Sequence, residues 1–123
     1  MGAARIYIVD EHPSVRLALV DRLRHAPELQ VIGHTGDAHL VLDDVEALKP
    51  DVVLIEVKRT DGLGLEIIRQ VAALPGGPRA IVLTSYGATW EHEAASRAGA
   101  SGYLLKDIDS EELIRQIMAF AAR

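Results

Sequence analysis

Five side chains in this sequence have the types that metal and phosphoryl chemistry use: Asp10, Glu11, Glu56, Thr84 and Lys106. Three carboxylates brought together repel unless a divalent cation, a proton or an ammonium compensates them, and an all-oxygen ligand set suits Mg²⁺. Lys106 would supply a point positive charge, and Thr84 a hydroxyl donor. Metal, ammonium and hydroxyl around one carboxylate would stabilise a transferring phosphoryl group, whose charge spreads over its equatorial oxygens. Taken singly, Asp10 or Glu11 is a solvated acid, Thr84 a loop hydroxyl and Lys106 a surface lysine. Only their joint spacing raises the group above background.

That spacing follows from the elements that carry them. Val52–Ile55 is a short, β-branched, uninterrupted apolar run, the pattern of a strand buried on both faces of a parallel sheet, and Glu56 stands at its exit. From Gly64 the pattern changes to Leu65, Ile67, Ile68, Val71 and Ala72, a crossover helix after a short loop. Arg5–Val9 is a first strand ending at Asp10 and Glu11. His12-Pro13-Ser14 then opens a helix with Val15, Ala18, Leu19, Arg22 and Leu23 at helical spacings. Leu29–His34 is a second strand and Asp37–Leu48 a second helix, stopped at Lys49-Pro50. Arg79–Leu83 is a fourth strand ending at Thr84 and Ser85, and Ala88–Ala98 a helix closed by Gly99. Gly102–Leu105 is a fifth strand ending at Lys106, and Asp109 or Ser110 caps the last helix. Five βα units in strict alternation imply an α/β, doubly wound parallel sheet with helices on both faces. All five polar residues then fall at carboxyl ends of strands, where open α/β sheets place their ligands.

Composition narrows what the crevice can do. At 123 residues with 49% hydrophobic residues, the chain is expected to be one domain, residues 1–123, with a core of its own. No cysteine is present, which excludes disulfides, thiolate metal sites and a cysteine nucleophile. A net charge of −5 repels phosphate backbones, and one Phe, one Trp and three Tyr are too few for a base-stacking platform. No signal peptide is expected, and no apolar run approaches the roughly 18 residues of a membrane span, so a soluble, cytoplasmic protein is expected. His12, His25, His34, His39 and His92 show no H-x-x-x-H pair for zinc. Gly62-Leu63-Gly64 is a loop rather than a dinucleotide fingerprint, since Ile67 stands where its third glycine belongs. Lys58 and Arg59 read as solvated loop cations, one of which could neutralise the acidic crevice. Trp90 is either a packing residue or an exposed anchor.

VDEHP near the start, PDVVLIEV, GLE, LTSY and AGASGYLLKD followed by EEL give the chain a resemblance over essentially its whole length. It resembles the receiver domain of bacterial two-component response regulators, most of all the NarL-type subfamily. The resemblance implies a flavodoxin-like sheet of five parallel strands in the order 2-1-3-4-5, an order for which a receiver is the standard example. It also implies that Asp10 and Glu11 form the family's Mg²⁺-binding acidic pair, that Thr84 is the switch hydroxyl, Tyr103 the switch aromatic, and Lys106 the invariant lysine. The family accepts phosphate on an aspartate, and the position matching it is Glu56, with Gly64-Leu65-Glu66 fixing the registration. Arg59 and Thr60 replace the family's usual Met-Pro, and Glu11 stands where a second aspartate is usual.

One extra methylene moves the carboxylate by roughly 1 to 1.5 Å, the length of a C–C bond. A misplacement of about 1 Å can cost on the order of 100-fold in a transfer step. Glu56 is therefore expected to accept phosphate poorly and to mimic an aspartyl phosphate only in part, with one charge and two oxygens. Two functions from different classes follow. The first and preferred is a phosphorylation-independent regulatory and dimerisation module, not an enzyme, of a transcriptional regulator that would reach DNA only through an output domain absent from this chain. The second is a phosphoryl-accepting receiver that still uses Mg²⁺ and a phosphodonor. No cofactor is required by the first, beyond weak or absent Mg²⁺ at Asp10, Glu11 and Glu56. Its expected partners are a second copy, a sensor kinase or a small-molecule effector, and no membrane. For the homodimer, Val15, Leu19 and Leu23 form the inward stripe of the first helix, leaving Leu17 and Val20 elsewhere. Leu113, Ile117 and Phe120 face the sheet from the last helix, leaving Ile114, Met118 and Ala122 on another side. The two helices lie side by side in this strand order and are preferred over the Trp90 face.

Overall fold

The computed structural model describes residues 2–122. Five strands, β1 (Ala4–Val9), β2 (Leu29–Thr35), β3 (Val52–Ile55), β4 (Arg79–Thr84) and β5 (Gly102–Leu105), form one parallel sheet in the order β2-β1-β3-β4-β5. Five helices connect or follow them: α1 (Pro13–Arg24), α2 (Val41–Leu48), α3 (Gly64–Ala72), α4 (Thr89–Ala98) and α5 (Ser110–Ala121). The doubly wound, flavodoxin-like order expected from the sequence is the order observed.

The central strands have no solvated face, so their apolar runs are continuous rather than alternating. Every residue of β3 is buried, as are Ile6–Val9 of β1. Successive residues divide between two cores. Ile6, Ile8, Leu54, Ile81 and Leu83 meet Leu19 and Leu23 of α1 and Leu113 and Ile117 of α5. Tyr7, Val9, Val53, Ile55 and Val82 meet Val41, Val45, Ile67, Ile68, Val71 and Ala95 on the opposite face. Burial of each such aliphatic side chain contributes roughly 1.5–3 kcal/mol before chain entropy is counted.

Helix ends follow local chemistry. The Asp109 carboxylate accepts from the Glu111 and Glu112 amides at the start of α5, and Gly99, at φ 115°, closes α4 in the left-handed region. Gly64 is required by a close approach, because a Cβ there would stand 2.3 Å from the Val57 carbonyl oxygen. That approach seats the start of α3 against the loop that follows Glu56.

Three expectations are corrected. Residues 37–48 are not one α-helix: the Asp37 carboxylate accepts from the His39 amide and sets a 3-10 turn over Ala38–Leu40, so α2 begins at Val41. Val15 is 39% exposed, not part of the inward stripe, because the first turn of α1 borders an open groove with Ser85, Lys106 and Asp107 rather than the sheet. Val20 and Ile114 are half-buried against the core, which leaves Leu17, Met118 and Ala122 as the exposed side chains of the expected patch. Phe120 is also half-buried against that core, as expected. Trp90, 68% exposed, is a surface residue.

One consequence of this packing is measurable. Tyr7 is buried, its hydroxyl donates to Asp44 Oδ2 at 2.5 Å, and burial first, then the Asp44 hydrogen bond and charge, push its phenol well above the ordinary tyrosine range. Tyr103 is shifted the same way, by burial and then by Glu91. An acid whose folded-state pKa is raised contributes stability that is complete below its unfolded value and lost as pH rises beyond it. Denaturant midpoints should therefore fall above about pH 10, the unfolded tyrosine value. The Tyr7→Phe variant should show a weaker alkaline decline, and equal declines would contradict the assignment.

Candidate functional site

The strand ladder continues one step past the sheet at three places. The Asp10 amide donates to the Thr35 carbonyl at 3.1 Å, the Glu56 amide to Val9 at 2.9 Å and the Lys106 amide to Thr84 at 2.8 Å. These bonds hold the residues after β1, β3 and β5 in register with their neighbours. Asp10, Glu56 and Lys106 thus meet because their strands end level.

Lys106 reaches across the crevice. Its Nζ lies 2.6 Å from Asp10 Oδ2 and 3.1 Å from Glu56 Oε1. Asp10 is 1% exposed and Glu56 6%, so both carboxylates are largely withdrawn from water and one ammonium serves them. The remaining oxygens are also engaged. Glu56 Oε2 accepts from the Lys58 amide at 3.2 Å, and Asp10 Oδ1 from the His12 amide at 3.0 Å. Arg16 Nη1 donates to the Asp10 carbonyl at 2.7 Å, adding positive charge at the rim.

Glu11 is turned elsewhere. Its carboxylate accepts from the Thr60 amide at 2.6 Å and the Thr60 hydroxyl at 2.9 Å, tying the loop after β3 to the end of β1. The expected three-carboxylate cluster of Asp10, Glu11 and Glu56 is thereby corrected. Thr60 takes one acid and Lys106 bonds the other two. Oxygen donors suit Mg²⁺ by type, yet among the described residues no group of three or more His, Cys, Asp or Glu side chains is placed to share an ion. As arranged, these residues do not fit the metal.

Thr84 lies at the end of β4, fully buried. Its hydroxyl accepts from Lys58 Nζ at 3.0 Å. The same ammonium donates to the Tyr86 carbonyl and, at 2.9 Å, to Glu91 Oε1. Tyr103 on β5 donates to that Glu91 oxygen at 2.5 Å and stacks on His92, centroids 4.6 Å apart. Lys58 is thus an exposed loop cation, but a paired one. Arg59 is not solvated, its side chain being 2% exposed: it bonds Asp61 and, at 2.8 Å, the Gly36 carbonyl. The Arg59 guanidinium, followed by the Leu63 amide, holds the Asp61 carboxyl below the usual range. The Asp61 carboxylate and the Gly36 carbonyl offset part of the cost of burying the Arg59 guanidinium.

The sequence singles out Lys58 only as a loop cation able to neutralise the acidic crevice, and does not single out Glu91. Glu91 carried a signal, because it occupies the same helical stripe as Ala95 and Ala98, both turned inward, and a carboxylate on an apolar stripe needs a partner. Nothing marked the partners of Lys58, since a loop side chain has no period.

A family model for the response regulator receiver domain matches residues 6–118. The chain belongs to the response regulator receiver family. This receiver is 39% identical over 113 residues to the DNA-binding transcriptional activator DevR/DosR of Mycobacterium tuberculosis, covering 92% of this chain and 52% of that protein. It is 28% identical over 119 residues to the nitrate/nitrite response regulator NarL of Escherichia coli, covering 97% of this chain and 55% of that protein. Both are NarL-type regulators, and the receiver spans about half the length of the curated relatives it matches. Among solved structures it superposes on the signal receiver domain of the response regulator NarL from Mycobacterium tuberculosis with a TM-score of 0.88 at 25% identity, covering 99% of this chain and 98% of that one. A LuxR-family two-component response regulator from Aurantimonas gives 0.88 at 30% identity, covering 98% and 86%. Among the described residues no helix is long and apolar enough to cross a membrane.

Proposed function

We propose that this receiver works without phosphorylation, as a regulatory and dimerisation module of a transcriptional regulator whose DNA contacts lie in another domain. One observation carries the reading: both oxygens of Glu56 are already engaged, Oε1 by Lys106 at 3.1 Å and Oε2 by the Lys58 amide at 3.2 Å. An attacking carboxylate oxygen must give up such a partner, and it starts one methylene from the length the family uses. Glu56, Asp10 and Lys106 then form a fixed charge centre in place of one created by a phosphodonor. Thr84 and Tyr103 keep their switch roles, answering to the protein's own charges. Sensor kinases or small effectors act on such a module by binding it, in the cytoplasm where DNA-binding relatives work.

Mg²⁺ follows from the same arrangement. Asp10 and Glu56 alone remain near the crevice, and binding must compete with Lys106 for their oxygens. Isothermal calorimetry should give a dissociation constant in the millimolar range or weaker. Micromolar binding would require Glu11 to rejoin the cluster and would contradict the reading.

Dimerisation is assigned to α1 and α5, which share one core and expose Leu17 and Met118 beside it. Sedimentation equilibrium should show the same dimer with and without acetyl phosphate and Mg²⁺, and a Leu17→Glu, Met118→Glu double variant should be monomeric. A monomeric wild type at high micromolar concentration, a dimer formed only with acetyl phosphate, or a dimer indifferent to both substitutions would each overturn the proposal.

A further inference from the structure

We propose that Lys58 is the positioning residue of the switch: it holds Thr84 directly and Tyr103 through Glu91 in one arrangement, independently of the charge on residue 56. The inference rests on the reading of Thr84 and Tyr103 as the switch pair, and it names what sets their state.

The Lys58 ammonium has three donors, and all three have partners: Thr84 Oγ1, the Tyr86 carbonyl and Glu91 Oε1. Those partners lie at the end of β4, in the loop after it, and in the first turn of α4. One side chain from the loop after β3 therefore ties down three consecutive pieces of the neighbouring βα unit. Its side chain is part-exposed, so the charge sits at the rim while two of its acceptors, Thr84 and Glu91, belong to buried residues.

Glu91 carries the constraint onward. It is 5% exposed, and its Oε1 receives both the Lys58 ammonium and the Tyr103 hydroxyl. A hydrogen bond to an ion-paired carboxylate is shorter and stronger than one between neutral groups. The Tyr103 ring is also confined from the sides. A Cβ at Gly87 would stand 3.0 Å from Tyr103 Cε1, and His92 stacks against the ring at an interplanar angle of 14°. The ring has a fitted seat, and the hydroxyl at its tip is secured by the one acid that Lys58 neutralises. Glu56 meets this chain of contacts only at the Lys58 backbone. Its oxygens go to Lys106 and to the Lys58 amide, not to the Lys58 ammonium.

The test is fluorine NMR on the chain labelled with meta-fluorotyrosine. The sequence has three tyrosines, Tyr7, Tyr86 and Tyr103, whose signals are assigned from Tyr7→Phe and Tyr86→Phe. Tyr86 is exposed and supplies the solvent reference, while Tyr7 is fully buried in the core against which Tyr103 packs and reports whether that core is intact. In Lys58→Met the Tyr103 signal should move at least halfway toward that of Tyr86, Lys58→Arg should restore most of the wild-type position, and Glu91→Gln should reproduce the loss. Glu56→Gln should leave Tyr103 in place. A Tyr103 signal unmoved in both Lys58→Met and Glu91→Gln, or displaced as far by Glu56→Gln, would overturn the inference. Should Tyr7 move in Lys58→Met, signalling general unfolding, Glu91→Gln decides alone. Phosphorylation of the wild type by acetyl phosphate would sink the proposed function yet leave this result standing, so the two failures are distinguishable.

Discussion

Replacing Lys106 by methionine should destabilise the receiver by about 3–5 kcal/mol, the cost of removing one partner from a buried ion pair. The substitution keeps most of the aliphatic stem and removes only the charge. Asp10 and Glu56, both nearly excluded from water, would then face each other with no ammonium between them. Each loses a bond, and their mutual repulsion is no longer offset. Against a total stability of roughly 5–15 kcal/mol for a domain this is a large fraction, and urea midpoints should fall accordingly. Neutralising a carboxylate at the same time, as in Asp10→Asn with Lys106→Met, should recover part of the loss, because two adjacent sites in one network are not additive. A loss below about 1 kcal/mol, the level of a solvated surface pair, would show the crevice to be open to water and the network weak.

Glu56→Asp should increase phosphorylation by acetyl phosphate on the order of 100-fold, the scale attached to a reacting atom placed about 1 Å wrong. The charge is retained and only the reach changes. A shorter carboxylate also withdraws from Lys106 and from the Lys58 amide, freeing an oxygen to attack and the ammonium to meet the incoming phosphoryl oxygens. Phosphate-affinity electrophoresis of the variant and the wild type under the same donor and Mg²⁺ concentrations measures the ratio. Equal, negligible phosphorylation of a folded variant would place the defect in the loop instead. Glu11 is held there by Thr60, and Arg59 spans Gly36 and Asp61.

The strand ends were legible because each βα unit announces itself twice, by a continuous apolar run and then by helical spacing. The sequence alone places Glu56 beside Asp10 and Lys106, since strands of one parallel sheet end on one side. What could not be read was where side chains go once they leave the sheet. Lys58 and Arg59 lie in a loop with no period, and only the structure shows the first spanning to Glu91 and the second burying itself against Gly36. Glu11 was grouped with Asp10 by adjacency. Neighbouring residues after a strand diverge, and Glu11 found Thr60 in place of the crevice. Val15 failed for a related reason: helical spacing gives the face of α1 but not where the sheet beneath it stops, and the first turn extends past that edge.

A receiver with Glu56 in this setting is proposed not to pass through a phosphorylated state. Intact-mass spectrometry of the wild-type chain, incubated with excess acetyl phosphate and Mg²⁺ and kept cold and near neutral until injection, tests it most directly. The account predicts a single unmodified species, while Glu56→Asp treated in parallel shows an added phosphoryl group. A stoichiometric phosphoryl adduct on the wild type, mapped to Glu56 or to a neighbouring acid of the crevice, would contradict it.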